Sequence, residues 1–324
     1  MARPILESIQ AGRGIAALMI VFVHAEVTFL GRIWGAGVDF FFVLSGFIIF
    51  YVHHQDFGHH KKIGRYLYRR IVRIYPVYWC IIAGYLGLHL LLGNDLRDFY
   101  QSNTQGLIKT IFLLPAHPLV VLTSWTLAYE LIFYLVVVLR FVFKFRIVFY
   151  SFFVFPFLGI WGWYVLPISK EFYHHFFIEA LLGTFVFSFY QKRSINFLVI
   201  YSLFFGGLFL LGFAAYYSPI QNPLLIRGIP CFMILLALVG WEKKQKIKIP
   251  RFFLVLGNAS YVLYLTHTIF LSLLTALIID SQGFVPTWVM LWIRIGITIT
   301  LAIVVHYCLE KPLLKFLRKL GKQA

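Results

Sequence analysis

Ten apolar stretches of roughly membrane-crossing length follow one another along this chain, and nothing constrains its fold more. They run over 14–30, 38–51, 77–92, 125–143, 147–166, 172–190, 197–217, 228–241, 252–279 and 287–309. A helix needs about 20 apolar residues to cross the hydrocarbon core of a bilayer. The second and eighth stretches are short, so they are expected to extend into their polar flanks. The apolar piece at 107–114 is too short to cross and reads as re-entrant or interfacial.

Charge orients the stretches. With the N-terminus inside, the cytoplasmic gaps and tails hold 23 of the 29 Lys and Arg residues. Such a bias is the signature of cytoplasmic loops. The expected fold is therefore all-α: a polytopic integral membrane helix bundle of about ten helices, both termini cytoplasmic. Only 13% of residues are charged and 61% are hydrophobic. A soluble domain needs far more polar surface. Topology also accounts for most of the net charge of +17, which makes nucleic acid a poor partner. Cys80, Cys231 and Cys308 are too scattered for a disulfide framework or a metal cluster. No cleavable signal and no linker is legible, so residues 1–324 read as one domain.

Within the spans, ionisable residues are expensive, and their default reading is functional. Arg13 and His24 stand eleven positions apart on the first span. Eleven steps of about 100° make about three turns, so both share one helix face, about 16 Å apart along the axis. Glu26 follows two residues after His24. Glu130, in SWTLAYELIFY, costs several kcal/mol in an apolar span unless protonated or paired. A Glu–His pair would keep the imidazole oriented and basic. A backbone-bonded helix-end histidine and a helix-joining carboxylate are the plainer accounts of these two residues.

Arg69, Arg70 and Arg73, in GRYLYRRIVRIYPVYW, lie at helical spacing before Pro76. They read either as a positive-inside anchor or as a phosphate clamp, since guanidinium groups grip phosphate as a fork. GAGVDFFFVLSGFIIF opens the second span with Asp39, Ser45 and Gly46. Small residues there allow close helix approach. Asp39 could pair with a cation near the outer surface or cap its helix. GNASYVLYLTH places Tyr261, Tyr264 and His267 at i, i+3, i+6 of the ninth span, where packing explains the tyrosines equally well. Asp39, Ser45, Trp125, Tyr264 and His267 are the candidates for contact with a substrate. No metal site is expected, because His24, His267 and Glu130 lack a ligating spacing.

These motifs, taken in order, resemble the acyltransferase-3 family of integral membrane O-acyltransferases. The match comprises Arg13…His24, GVDFFFVLSGF, RRIVRIYPVY, SWTLAYELIFY, GNASYVLYLTH and the final Glu310-Lys311-Pro312. It runs over about 6–312, and within the family the chain looks like bacterial exopolysaccharide acetyltransferases. The resemblance implies transfer of an acyl group, usually acetyl from acetyl-CoA, to a sugar hydroxyl. It makes His24 the catalytic histidine, Arg13 its companion, and Arg70 and Arg73 part of the basic motif. Some relatives carry an extra hydrolase-like domain, for which this chain ends too early.

The expected chemistry follows. Acyl-CoA, a co-substrate and not a bound cofactor, docks its phosphates on Arg69, Arg70 and Arg73, with Arg13 at the mouth. His24 acts as general base on a carbohydrate acceptor, with Glu130 orienting the ring, or else forms an acyl-His intermediate. The site is expected in the bacterial inner (cytoplasmic) membrane, with polysaccharide-assembly proteins as further partners. A glycan or lipid-linked-intermediate flippase, or a scaffold in an export complex, are the competing classes. The acceptor sugar, the acyl group and the oligomeric state are open.

Overall fold

The computed structural model describes residues 6–27, 31–91, 104–114, 121–143, 145–160, 174–192, 195–217, 222–278 and 287–323. Among these, the secondary structure is helical and no strand occurs. The α-helices are α1 (Glu7–His24), α2 (Ala36–His53), α3 (Ile63–Leu91), α4 (Thr104–Phe112), α5 (Trp125–Val142), α6 (Arg146–Ser151), α7 (Val154–Ile160), α8 (His175–Lys192), α9 (Phe197–Tyr217), α10 (Ile229–Lys244), α11 (Arg251–Ile278), α12 (Thr287–Val305) and α13 (Lys311–Gln323). Two π-helical turns interrupt the α pattern, at Leu224–Gly228 before α10 and at His306–Glu310 between α12 and α13.

Seven helices among the described residues are long and apolar enough to cross a membrane: Ile33–His53, His60–Leu88, Trp125–Val142, Phe197–Tyr216, Leu224–Lys244, Arg251–Leu277 and Thr287–Gly321. The second and eighth stretches do lengthen into their flanks, as their shortness required. Three further expected spans look different. The first becomes α1, which starts earlier, carries Glu7 and Arg13, and stops at His24 rather than near 30. The fifth begins as the short α6 and α7, and its end lies outside the described residues. The sixth is α8, 18 residues long with Glu179 at its fifth position. The 107–114 piece is the nine-residue α4, too short to span.

Outward positions are apolar where lipid would lie. On α9, Leu198, Phe205, Phe209 and Phe213 are all exposed. A helix apolar on every side suits a bilayer and not water.

The described chain forms two compact units. Unit 1 is Met1–His60 with Leu135–Asn258; unit 2 is Lys61–Tyr134 with Ala259–Ala324.

In unit 1, α2 packs along α8, α9 along α10, and α1 against α2 and α10. Glycine makes the first of these contacts possible. A Cβ on Gly46 would stand 1.8 Å from the Ala180 carbonyl oxygen, and one on Gly183 would stand 1.9 Å from that of Val43. The start of α1 is held by Glu242 of α10, whose carboxylate accepts from the backbone N–H groups of Glu7 (2.7 Å) and Ser8 (3.0 Å). Those donors have no partner within their own helix.

In unit 2, the aromatic half of the α3 motif anchors α4. Tyr78 Oη donates to the Thr110 carbonyl (2.8 Å), Trp79 Nε1 to that of Ile111 (2.9 Å) and Tyr75 Oη to that of Phe112 (2.9 Å). Carbonyls of a helix's last turn have no intrahelical donor, and here three side chains supply it. Amphipathic α13 lies on α3, where Tyr68 Oη donates to the Leu317 carbonyl (2.8 Å).

Candidate functional site

Arg13, expected at the mouth, and His24, the expected base, both lie on α1, and its uninterrupted helix preserves their spacing of about three turns. His24 is its last residue. The helix closes with Ala25 as C-cap and Glu26 at φ 59°. The Val27 N–H donates to the Phe22 carbonyl (3.0 Å) and the Glu26 N–H to that of Val23 (3.2 Å). That is a Schellman ending with a glutamate where glycine is usual. The His24 side chain is exposed. His24 Nδ1 donates to the Ile20 carbonyl at 3.0 Å, which makes Nε2 the basic nitrogen.

Arg13 is half-buried two turns into the helix, and its Nη1 donates to Gln10 Oε1 at 3.3 Å. Gln10 Nε2 in turn donates to Asn258 Oδ1 at 2.7 Å. Asn258 belongs to the GNASYVLYLTH motif, and the adjacent Gly257 sits so close that a Cβ would meet the Gln10 carbonyl oxygen at 1.9 Å. The first two residues of that motif thus serve α1 and, through Gln10, Arg13.

The three expected phosphate-binding arginines separate in unit 2. Arg69 is exposed. Arg70 lies over two rings, its guanidinium carbon 5.8 Å from the centre of Tyr66 and 5.4 Å from that of Tyr134. Tyr66, fully buried, donates from Oη to the Tyr134 carbonyl at 3.0 Å and so fixes the platform. Arg73 stands in the field of Glu130 and Glu310, with Tyr134 and Tyr261 also facing it. Glu130 accepts a short hydrogen bond from Tyr134 Oη, one turn along α5. Glu310 is held by His306, Nδ1 to Oε2 2.6 Å, across the second π turn. The basic motif, SWTLAYELIFY and the Glu-Lys-Pro end therefore converge on one arginine.

Glu130 was expected to orient His24. His24 belongs to unit 1 and Glu130 to unit 2, where Glu130 accepts from Tyr134 Oη. The role of Glu310 and His306 escaped sequence reasoning, although their i, i+4 spacing in HYCLEKP was a usable signal.

The remaining candidates are placed as follows. Tyr264 and His267 do meet, ring centres 6.2 Å apart. Both are buried, and His267 Nδ1 reaches the Tyr264 carbonyl at 2.8 Å. Tyr264 Oη bonds Thr126 Oγ1 and the Thr123 carbonyl, joining α11 to the start of α5. Tyr261 Oη donates to the Ile74 carbonyl (2.8 Å), joining α11 to α3. Trp125 is half-buried at the head of α5, edge-on to Tyr129 with centres 5.8 Å apart. Ser45 is half-buried on α2, one position before Gly46. Asp39 is buried in the first turn of α2 but does not cap it; Gly35 holds the N-cap position. Its cation is Arg227, Nε to Oδ2 3.1 Å.

The Acyl_transf_3 family model, described as an acyltransferase domain, matches residues 6–307. The chain belongs to the acyltransferase-3 family. It is thus a membrane acyltransferase, a transferase enzyme with several membrane-crossing helices. No curated protein matches it, and no solved structure does. For this acyltransferase, the matched segment contains Arg13, His24, the α3 arginines and Glu130, and stops three residues short of Glu310.

Proposed function

We propose that the protein moves an acetyl group from acetyl-CoA to a hydroxyl of an exopolysaccharide, another cell-surface glycan or its lipid-linked precursor, in a bacterial cytoplasmic membrane. One observation carries this: His24 ends its helix with Nδ1–H given to the Ile20 carbonyl, so that Nε2 has the lone pair a general base needs. Nε2 takes the proton of the acceptor hydroxyl as its oxygen bonds to the thioester carbonyl carbon. The C–S bond breaks, and the imidazolium returns the proton to the CoA thiolate. Arg13, on the same helix face about three turns away, reaches toward the cytosolic arm of CoA. Arg69, Arg70 and Arg73 take the CoA phosphates, with Arg70 stiffened by its two tyrosine rings and Arg73 by Glu130 and Glu310. Asp39, Ser45, Trp125, Tyr264 and His267 are the candidates for contact with the acceptor.

The test is the O-acetyl content of surface glycan, by mass spectrometry, in a deletion strain carrying the wild-type or the His24→Ala gene. Wild type restores O-acetyl groups and His24→Ala does not. Near wild-type acetylation with His24→Ala would refute the catalytic assignment. Glycan that reaches the surface only when the gene is present, with no change in acetylation, would instead support a flippase.

A further inference from the structure

Unit 1 contains a second ionisable cluster that the acyl-transfer chemistry does not use. Asp39 on α2 and Glu179 on α8 are 1% and 0% exposed. His175, one turn before Glu179, points Nε2 at both: 3.7 Å from Asp39 Oδ1 and 3.9 Å from Glu179 Oε1. Arg227, from the first π turn, pairs with the other Asp39 oxygen at 3.1 Å. Asp39 Oδ1, both oxygens of Glu179 and Nε2 of His175 lack a hydrogen-bond partner among the described residues. One ligand atom from each of Asp39, His175 and Glu179 lies within 4.8 Å of the others.

Buried polar atoms without partners are rare, because each forfeits its hydration. Three of them, one each from Asp39, His175 and Glu179, stand together and need an occupant. Burial of both carboxylates leaves no opening for a sugar or a phosphate, so the occupant is a single small cation. The separations of 3.7 and 3.9 Å exceed hydrogen-bond reach. They match an ion in between: two donors each about 2.1 Å from a metal stand about 3.4 Å apart at the tetrahedral angle and about 4.2 Å apart when opposed. A proton shared by Asp39 and Glu179 would leave the His175 nitrogen unanswered. Once both are ionised, two carboxylates exceed the one guanidinium by a charge, which a bound cation would offset.

We infer that Asp39, His175 and Glu179 form a site for a divalent transition-metal cation of the zinc or manganese class. Imidazole with carboxylates is a donor set these ions accept. Arg227 orients Asp39 from behind, as outer partners of metal ligands do. The ion would fasten α2 to α8 beside the π turn. Gly228 fits the same corner, where a Cβ would stand 2.8 Å from Glu179 Oε1. His175, 15% exposed, is the way in. The inference is independent of the substrate of acyl transfer.

The full chain, purified in detergent without a polyhistidine tag, is stripped with a chelator, loaded with Zn²⁺ or Mn²⁺ and desalted. Metal per chain is read by mass spectrometry and unfolding by a thermal shift. Wild type retains stoichiometric metal and melts higher when loaded. Glu179→Gln and His175→Gln, both near-isosteric, retain roughly a tenth or less and lose the metal-dependent shift. His59→Ala/His60→Ala, at an exposed pair, retains it all. Wild type that holds no metal, with the carboxyl pair sharing a proton instead, overturns the inference. So does metal that survives both Glu179→Gln and His175→Gln.

Discussion

Gly46 and Ala180 touch through backbone alone: a Cβ on Gly46 would lie 1.8 Å from the Ala180 carbonyl oxygen. The relation is mutual, because Gly183, three residues on, admits the Val43 carbonyl in the same way. Helices without a hydrophobic force between them associate through such close packing. Gly46→Ala and Gly183→Ala should each lower the melting temperature in detergent, by a loss of about 1–3 kcal/mol or more. Gly87→Ala on α3, where nothing lies within 4 Å, is the control and should be neutral or stabilising by up to about 1 kcal/mol. A harmless Gly46→Ala would mean that α2 and α8 are farther apart.

Glu26 holds a left-handed backbone, φ 59°, that side chains with a Cβ resist. Glu26→Gly should raise thermal stability by about 1 kcal/mol while leaving the end of α1 and the setting of His24 unchanged. Acyl transfer should survive this substitution. Its loss would show that the Glu26 carboxylate, and not only its backbone, serves the reaction.

Arg73 and Glu130 should couple. Arg73 and Glu130 are both half-buried, so removing one leaves the other less compensated at about 1–3 kcal/mol. Arg73→Gln and Glu130→Gln should each destabilise, and the double variant should cost less than their sum, measured by melting in a double-mutant cycle. Additive losses would mean that Arg73 answers mainly to Glu310.

His24 and Arg70 should separate kinetically. His24→Ala should lower kcat by about 10²-fold to 10⁴-fold with little change in the KM for acyl-CoA. Arg70→Ala should raise that KM by about 10-fold, the worth of a charge-assisted phosphate contact, and leave kcat closer to wild type. An unchanged KM would reduce Arg70 to a topological anchor.

Trp79→Phe keeps an aromatic ring on α3 but removes the donor to the Ile111 carbonyl. The expected loss is about 0.5–1.5 kcal/mol, read as faster hydrogen exchange in α4 than in the rest of unit 2.

What could be read from the sequence was whatever rests on local pattern. Apolar length marked the helices, small residues marked the approach of α2, and an acid in an apolar run marked Asp39 as a residue needing a cation. The cation itself was not legible. Arg227 reaches Asp39 from within a π turn, and no composition rule announces an extra residue in a helical turn. The stop at His24 was hidden for a related reason: its turn uses glutamate where the usual signal is glycine. The α3 arginines looked equivalent at helical spacing, yet tertiary neighbours gave each a different setting, one exposed, one on tyrosine rings and one among carboxylates. Periodicity reports the face of a residue and not what the fold brings to it.

The wide turn at Leu224–Gly228 has one more consequence. Deleting a single amino acid there would let the backbone relax to ordinary pitch, and everything upstream would swing by about 100° about the axis. A frame-preserving loss of one codon, far gentler on paper than any truncation, would aim the guanidinium at lipid and strand the aspartate it answers.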